Sequence, residues 1–111
     1  MEQYKAVTKF VRISPRKARL AAGLIRGKYV QDAQDQLQYS ALRGGRLLMK
    51  TLKSAVANAQ AQSEIRPESL KVLEVRVDEG PRMKRAKPRS KGMRHPIMKR
   101  MSHFTIVLTA V

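Results

Sequence analysis

The chain has 111 residues, with 24 Lys and Arg against 8 Asp and Glu, a formal net charge of +16, and no Cys. The length suits one domain with one modest core, and a hydrophobic content of 42% is enough to fill it. The lack of Cys excludes a disulfide scaffold, thiolate metal sites and a Cys nucleophile, and so large a positive charge is costly self-repulsion unless a polyanion neutralises it.

The first segment, Tyr4 to Ile13, reads as a strand in which Val7, Val11 and Ile13 alternate loosely with Lys5, Lys9 and Arg12. Ser14-Pro15 is a strong helix start, since Ser caps an orphan amide and Pro fits the first helical position. The spacing predicts a helix to about Arg26, with Ala18, Ala21, Ala22 and Ile25 as its apolar stripe, widened by Leu20 and Leu24. Gly27 is placed to end it in a left-handed conformation. Val30, Ala33 and Leu37 predict a second, shorter helix with Asp32 in its first turn. Ser40 is the predicted cap of a third helix running to about Gln62. Leu48, Leu52, Ala55, Val56 and Ala59 mark its buried face, and Arg43, Arg46, Lys50 and Lys53 lie elsewhere on its surface. Gly44-Gly45 weakens its first turn, at up to ~1 kcal/mol each relative to Ala.

After a connection over 63–69, Leu70 to Asp78 predicts a strand whose phase slips at Val72-Leu73, the mark of a bulge. The clearest strand is His103 to Val111, with Phe104, Ile106, Leu108 and Ala110 on one face and Thr105, Val107 and Thr109 on the other. The order strand, three helices, two strands predicts an α+β fold, β-α-α-α-β-β, with the helices packed on a small antiparallel sheet. One domain is expected over 1–111, its core about 1–79 and 103–111. The intervening 80–102 is either a disordered basic arm or a long two-stranded basic hairpin continuing the flanking strands. Met83, Ile97, Met98 and Met101 are apolar residues that a pure tail has no use for. Arms of about ten residues at ~3.3 Å each reach roughly 30 Å.

The charge is concentrated. All eight acids lie between Glu2 and Glu79. From Gly80 onward there are none, against Arg82, Lys84, Arg85, Lys87, Arg89, Lys91, Arg94, Lys99 and Arg100. The first thirty residues are also basic, through Arg16, Lys17, Arg19, Arg26 and Lys28 among others. Such a footprint is expected where a particular face meets phosphate. Catalytic chemistry is missing. His95 and His103 are the two His, each read as a surface or base-stacking residue, and the adjacent Asp78-Glu79 point to opposite faces of a strand. No enzyme activity, metal site or cofactor is expected. Three Tyr, two Phe and no Trp make aromatic platforms scarce, which argues against a sheet of the RNA-recognition type. No apolar run approaches the ~18–20 residues of a membrane span, and Met1 to Lys5 lacks the apolar stretch of a secretory signal.

Four blocks, in order, carry a resemblance. They are Ser14-Pro15-Arg16-Lys17-Ala18-Arg19-Leu20 with Leu24-Ile25-Arg26-Gly27-Lys28; Leu52-Lys53-Ser54-Ala55-Val56-Ala57-Asn58-Ala59; Asp78-Glu79-Gly80-Pro81-Arg82-Met83-Lys84-Arg85 with Pro88-Arg89; and Lys99 to Leu108. In this order and spacing the chain resembles the family of large-subunit ribosomal protein twenty-two, over essentially its whole length. The resemblance implies a non-enzymatic component of the large ribosomal subunit, in the cytoplasm. It implies a hairpin that inserts into large-subunit rRNA and lines the nascent-peptide exit tunnel, and a part in early assembly. The implied partners are rRNA, neighbouring ribosomal proteins and the nascent peptide, with no homo-oligomer. Mapped onto this chain, the tunnel-lining tip is Lys87, Pro88, Arg89, Ser90, Lys91, Gly92, Met93 and Arg94. The rRNA-binding set is the fourteen basic residues named from Arg16 to Lys28 and from Arg82 to Arg100. Two rivals remain at this point. One is an architectural DNA-binding protein with a basic β-arm; the other is a cationic membrane-active protein, disfavoured by the Ala-rich first helix.

Overall fold

A computed structural model describes residues 3–81, 83–88 and 94–111, with the course of the backbone alone for 83–88 and 94–98. The elements in chain order are β1 (Gln3–Val11), α1 (Pro15–Ala22), α2 (Val30–Gln38), α3 (Arg43–Ser63), a 3₁₀ turn (Pro67–Ser69), β2 (Leu70–Glu79), β3 (Met83–Pro88), β4 (Arg94–Lys99) and β5 (Ser102–Ala110). The fold is α+β. β5 lies between β1 and β2 in an antiparallel three-stranded sheet, and β3 and β4 pair antiparallel in a separate two-stranded one. The backbone of 83–88 and 94–99 thus follows the hairpin reading.

Register decides which side chains meet the helices. Tyr4, Leu108 and Val72 form one row across the sheet, Ala6, Ile106 and Val75 the next, and Thr8, Phe104 and Val77 the third. All but Thr8 are buried, under α3 with its buried Leu48, Leu52, Ala55, Val56 and Ala59. Each large apolar side chain so buried contributes roughly 1.5–3 kcal/mol. Polar pairs tie the same layers: Thr51 Oγ1 donates to Thr8 Oγ1 at 2.8 Å, and Tyr4 Oη to Ser63 Oγ at 2.8 Å. Gly44, expected to weaken α3, has a packing role. A β-carbon there would lie 3.2 Å from Ala21 Cβ and 3.3 Å from Ala18 Cα, so glycine lets α1 and α3 approach closely.

Several sequence expectations need correction. α1 ends at Ala22, not near Arg26. Past it the chain tightens, with Leu24 N–H donating to Ala21 O and Ile25 N–H to Ala22 O in 3₁₀ fashion. Gly27 adopts the expected left-handed backbone, φ +74°, but closes this turn and not the helix, whose C-cap is Gly23. Ile25 is buried through this turn, but Leu20 points outward at 63% exposure because it lies off the buried face made by Pro15, Ala18, Ala21 and Ala22. Ser40 does not cap α3. The N-cap is Leu42, and Ser40 Oγ instead accepts from Leu42 N–H at 3.1 Å in the preceding turn. β1 stops at Val11, before Ile13, and Val7 is exposed on the outer face because Tyr4, Ala6 and Thr8 take the inward positions. The outward row of β5 is also buried. Thr105, Val107 and Thr109 are 6% exposed, flanked in register by Gln3, Lys5 and Val7 on one side and Lys71, Glu74 and Arg76 on the other. The bulge expected at Val72-Leu73 is present as a register shift between Val72 and Glu74.

Candidate nucleic-acid interface

The N-terminal basic residues are arranged by α1 and the turn after it. Ser14 Oγ accepts from Lys17 N–H at 3.4 Å, which fixes the start of α1 and leaves Arg16 and Lys17 exposed on its first turn. Arg19 and Arg26 are engaged through their guanidinium groups. Arg19 donates from Nε and Nη2 to Val77 O at 3.2 and 3.0 Å, and Arg26 from Nη2 to Val75 O at 2.9 Å. These carbonyls belong to the edge of β2 that faces away from β5. The same edge is held further along by Gly27 N–H to Val72 O (3.2 Å) and Val72 N–H to Lys28 O (2.8 Å). Arg19 and Arg26 therefore combine a positioned charge with a structural bond, whereas Lys28 is half-buried beside β2. The sequence puts all five cations in one set without separating these roles.

The C-terminal set follows the ribbon. Lys84, Arg85 and Lys87 lie on β3 and Arg94 and Lys99 on β4; Arg100 is exposed just past it. The register sets Lys84 opposite Met98, Arg85 opposite Ile97, Lys87 opposite His95, Pro88 opposite Arg94 and Met83 opposite Lys99. No two of these cations stand directly opposite each other, which spares the ladder its worst like-charge repulsion. Arg82, Arg89 and Lys91, with Ser90, Gly92 and Met93 of the expected tip, lie outside the described residues. At the foot of the ribbon Gly80 N–H donates to Met101 O at 2.8 Å, and a β-carbon on Gly80 would come within 3.2 Å of the Met101 backbone, so the two arms close tightly there.

A second basic row is not evident as a site from the sequence. Arg43, Arg46, Lys50 and Lys53 lie on α3, and their three-four-three spacing puts them along one helix face, a signal that the sequence does contain. Arg46, Lys50 and Lys53 border a groove of about 590 Å³ between α2 and α3, whose other lining residues are Gln34, Leu37, Gln38 and Met49. Among the described residues no cluster of three or more His, Cys, Asp or Glu is placed to hold a metal ion, and no helix is long and apolar enough to cross a membrane. What the surface offers is Lys and Arg on several elements, chemistry suited to phosphate.

The family model for ribosomal protein L22p/L17e matches residues 6–109. The chain belongs to that family. It is 65% identical over 109 residues, 98% of each chain, to the large ribosomal subunit protein uL22 of Protochlamydia amoebophila (strain UWE25). It is 52% identical over 105 residues, 95% of each chain, to the protein of the same name from Chlamydia trachomatis serovar L2, and 53% identical over the same length to that of Chlamydia pneumoniae. The L22p/L17e family is one of ribosomal proteins, parts of a ribonucleoprotein that serves translation, and not a family of enzymes. Membership replaces both the DNA-binding and the membrane-active alternatives.

Proposed function

We propose that this chain is a structural component of the large subunit of the cytoplasmic ribosome, and that it binds large-subunit rRNA with two basic surfaces of different construction. One is the α1 surface with Arg16, Lys17, Arg19, Arg26 and Lys28. The other is the hairpin with Arg82, Lys84, Arg85, Lys87, Arg89, Lys91, Arg94, Lys99 and Arg100. The hairpin enters folded RNA where a globular face is too broad. Its tip, Lys87 to Arg94, lines the nascent-peptide exit tunnel, and simultaneous binding to several RNA segments aids early assembly. Neighbouring ribosomal proteins are its other partners. In this reading 1–111 is one domain, with a core of about 1–79 and 103–111 and the hairpin at about 80–102. The observation that carries the reading is the coincidence of two boundaries. β2 ends at Glu79, the last acid of the chain, and beyond it β3 and β4 pair with each other in a sheet of their own.

The test is a chain lacking Lys87 to Arg94. Helix content by circular dichroism is unchanged, because none of the three helices is touched, and the shortened chain still co-sediments with large subunits. What changes is macrolide sensitivity or nascent-chain passage. A folded chain that fails to enter the subunit would make the tip the main anchor and overturn this division of labour. In parallel, replacing Arg82, Lys84 and Arg85 with Ala flattens the log–log salt dependence of rRNA binding by roughly one for each phosphate no longer neutralised. A wild-type slope near zero sinks the phosphate mechanism.

A further inference from the structure

Phe10 is in a conformation and a place that a purely structural residue would not choose. Its φ is +61°, a left-handed backbone that a bulky side chain adopts only under constraint, and that Gly or Asn adopts at little cost. The constraint is a bulge in β1. Thr8 pairs with Phe104 and Val11 with Ser102, so Lys9 and Phe10 together stand opposite His103. The ring gains little from the core, for it is 59% exposed, while the other Phe of the chain, Phe104, is fully buried.

The ring is nevertheless held. Phe10 N–H donates to His103 Nδ1 at 3.1 Å, and the two rings meet edge to face, 5.1 Å between centroids and 90° between planes. Because Nδ1 accepts, the neutral imidazole carries its proton on Nε2. On the far side of His103, Asp78 is its register partner on β2, so the immediate surroundings are not uniformly basic and the distinguishing feature of the site is the ring. Next to Phe10 in the chain, Lys9 and Arg12 are both exposed, a setting that suits a polyanion better than an apolar protein side chain.

We propose that Phe10, braced by His103, is a stacking platform for one unpaired base of rRNA, with Lys9 and Arg12 meeting the flanking phosphates. An exposed ring beside cations is the arrangement by which proteins hold bases splayed out of RNA loops. The strained backbone is then explained by presentation: the bulge turns the ring outward where a regular strand would pair it. The inference rests on the rRNA-binding reading and adds an RNA-binding position at the foot of the hairpin, away from its tip.

The experiment uses the full chain, an in-vitro transcript of large-subunit rRNA and filter binding over a series of salt concentrations, with denaturant unfolding of each variant alongside. Phe10→Gly removes the ring and relieves the backbone, so the variant is as stable as wild type or more so, yet binds roughly 5- to 150-fold more weakly. Its salt slope stays at the wild-type value, because the ring meets a base and neutralises no phosphate. Phe10→Tyr keeps both affinity and slope. Phe10→Asn, also at ease at this φ, repeats the Phe10→Gly result and guards against a folding defect peculiar to glycine. Undiminished binding by Phe10→Gly overturns the proposal. So does loss of stability in both Phe10→Gly and Phe10→Asn, which would make the ring structural. Normal binding to the transcript combined with failed entry into the subunit also overturns it, and assigns Phe10 to a protein neighbour. If wild type itself does not bind the transcript, the rRNA reading falls first and this inference with it.

Discussion

The three-stranded core sheet and the two-stranded ribbon of β3 and β4 are both antiparallel, yet they are stabilised differently. In the core, β5 has a strand on each side and α3 above it, and even its outward row of Thr105, Val107 and Thr109 is covered. In the ribbon, β3 and β4 have only each other. Two strands with no third layer are marginal in water, and here they carry five of the nine cations of the acid-free end of the chain. The difference teaches where each half draws its stability. The core closes on apolar burial within the chain, whereas the ribbon, in the proposed function, is completed by a partner of opposite charge.

That contrast is broken or sharpened by substitutions in the core, and the largest effect comes at its centre. Leu52→Ala empties a fully buried site between α3 and the sheet and lowers unfolding free energy by about 2–5 kcal/mol in a denaturant titration. An unchanged midpoint would mean that the core is not closed by α3. Gly44→Val comes next. Its side chain has no room against Ala18 and Ala21, so overpacking costs about 1–3 kcal/mol, read as a lower thermal midpoint. The smallest effect compares two arginines on α1. Arg19→Ala removes the bonds to Val77 O and destabilises by about 1 kcal/mol. Arg16→Ala leaves stability within ~0.5 kcal/mol and shows itself only in rRNA binding, as a salt slope flatter by about one. Equal stability for the two variants would erase the distinction between a bonded and a purely presented cation.

Much of this is legible in the sequence because local chemistry and tertiary demand agree. Ser14-Pro15 starts α1, Gly27 takes the positive φ, and the slipped phase at Val72-Leu73 is a bulge. The apolar rows of α2, α3 and β5 are those the periodicity marks. The failures have a common physical cause: each depends on what lies across from a residue. Leu20 fits the helical stripe by number but meets no neighbouring layer. Ser40 has the right chemistry for a cap, yet the chain turns once more before α3 begins. The charge pattern locates the basic surface, but nothing in the sequence says that Arg19 and Arg26 reach strand carbonyls. Phe10 is hidden for the same reason, since its bulge arises from pairing with a strand more than ninety residues away.

The arginine bonds to β2 also bear on the life of the molecule before it meets RNA. A sheet edge with open carbonyls is a template on which another chain can add a strand, the usual first step of edge-to-edge aggregation. On β2 that template is occupied: Arg26 holds Val75 O, Arg19 holds Val77 O, and the chain at Gly27 and Lys28 takes both polar groups of Val72. At the opposite edge, Asn58 Nδ2 donates to Lys5 O at 3.1 Å and the bulge at Phe10 interrupts the strand. In the core sheet the chain therefore supplies its own partners along β2, and on β1 it holds the edge at Lys5 and breaks it at Phe10, so the places where a foreign strand could add are fewer than the strand lengths suggest.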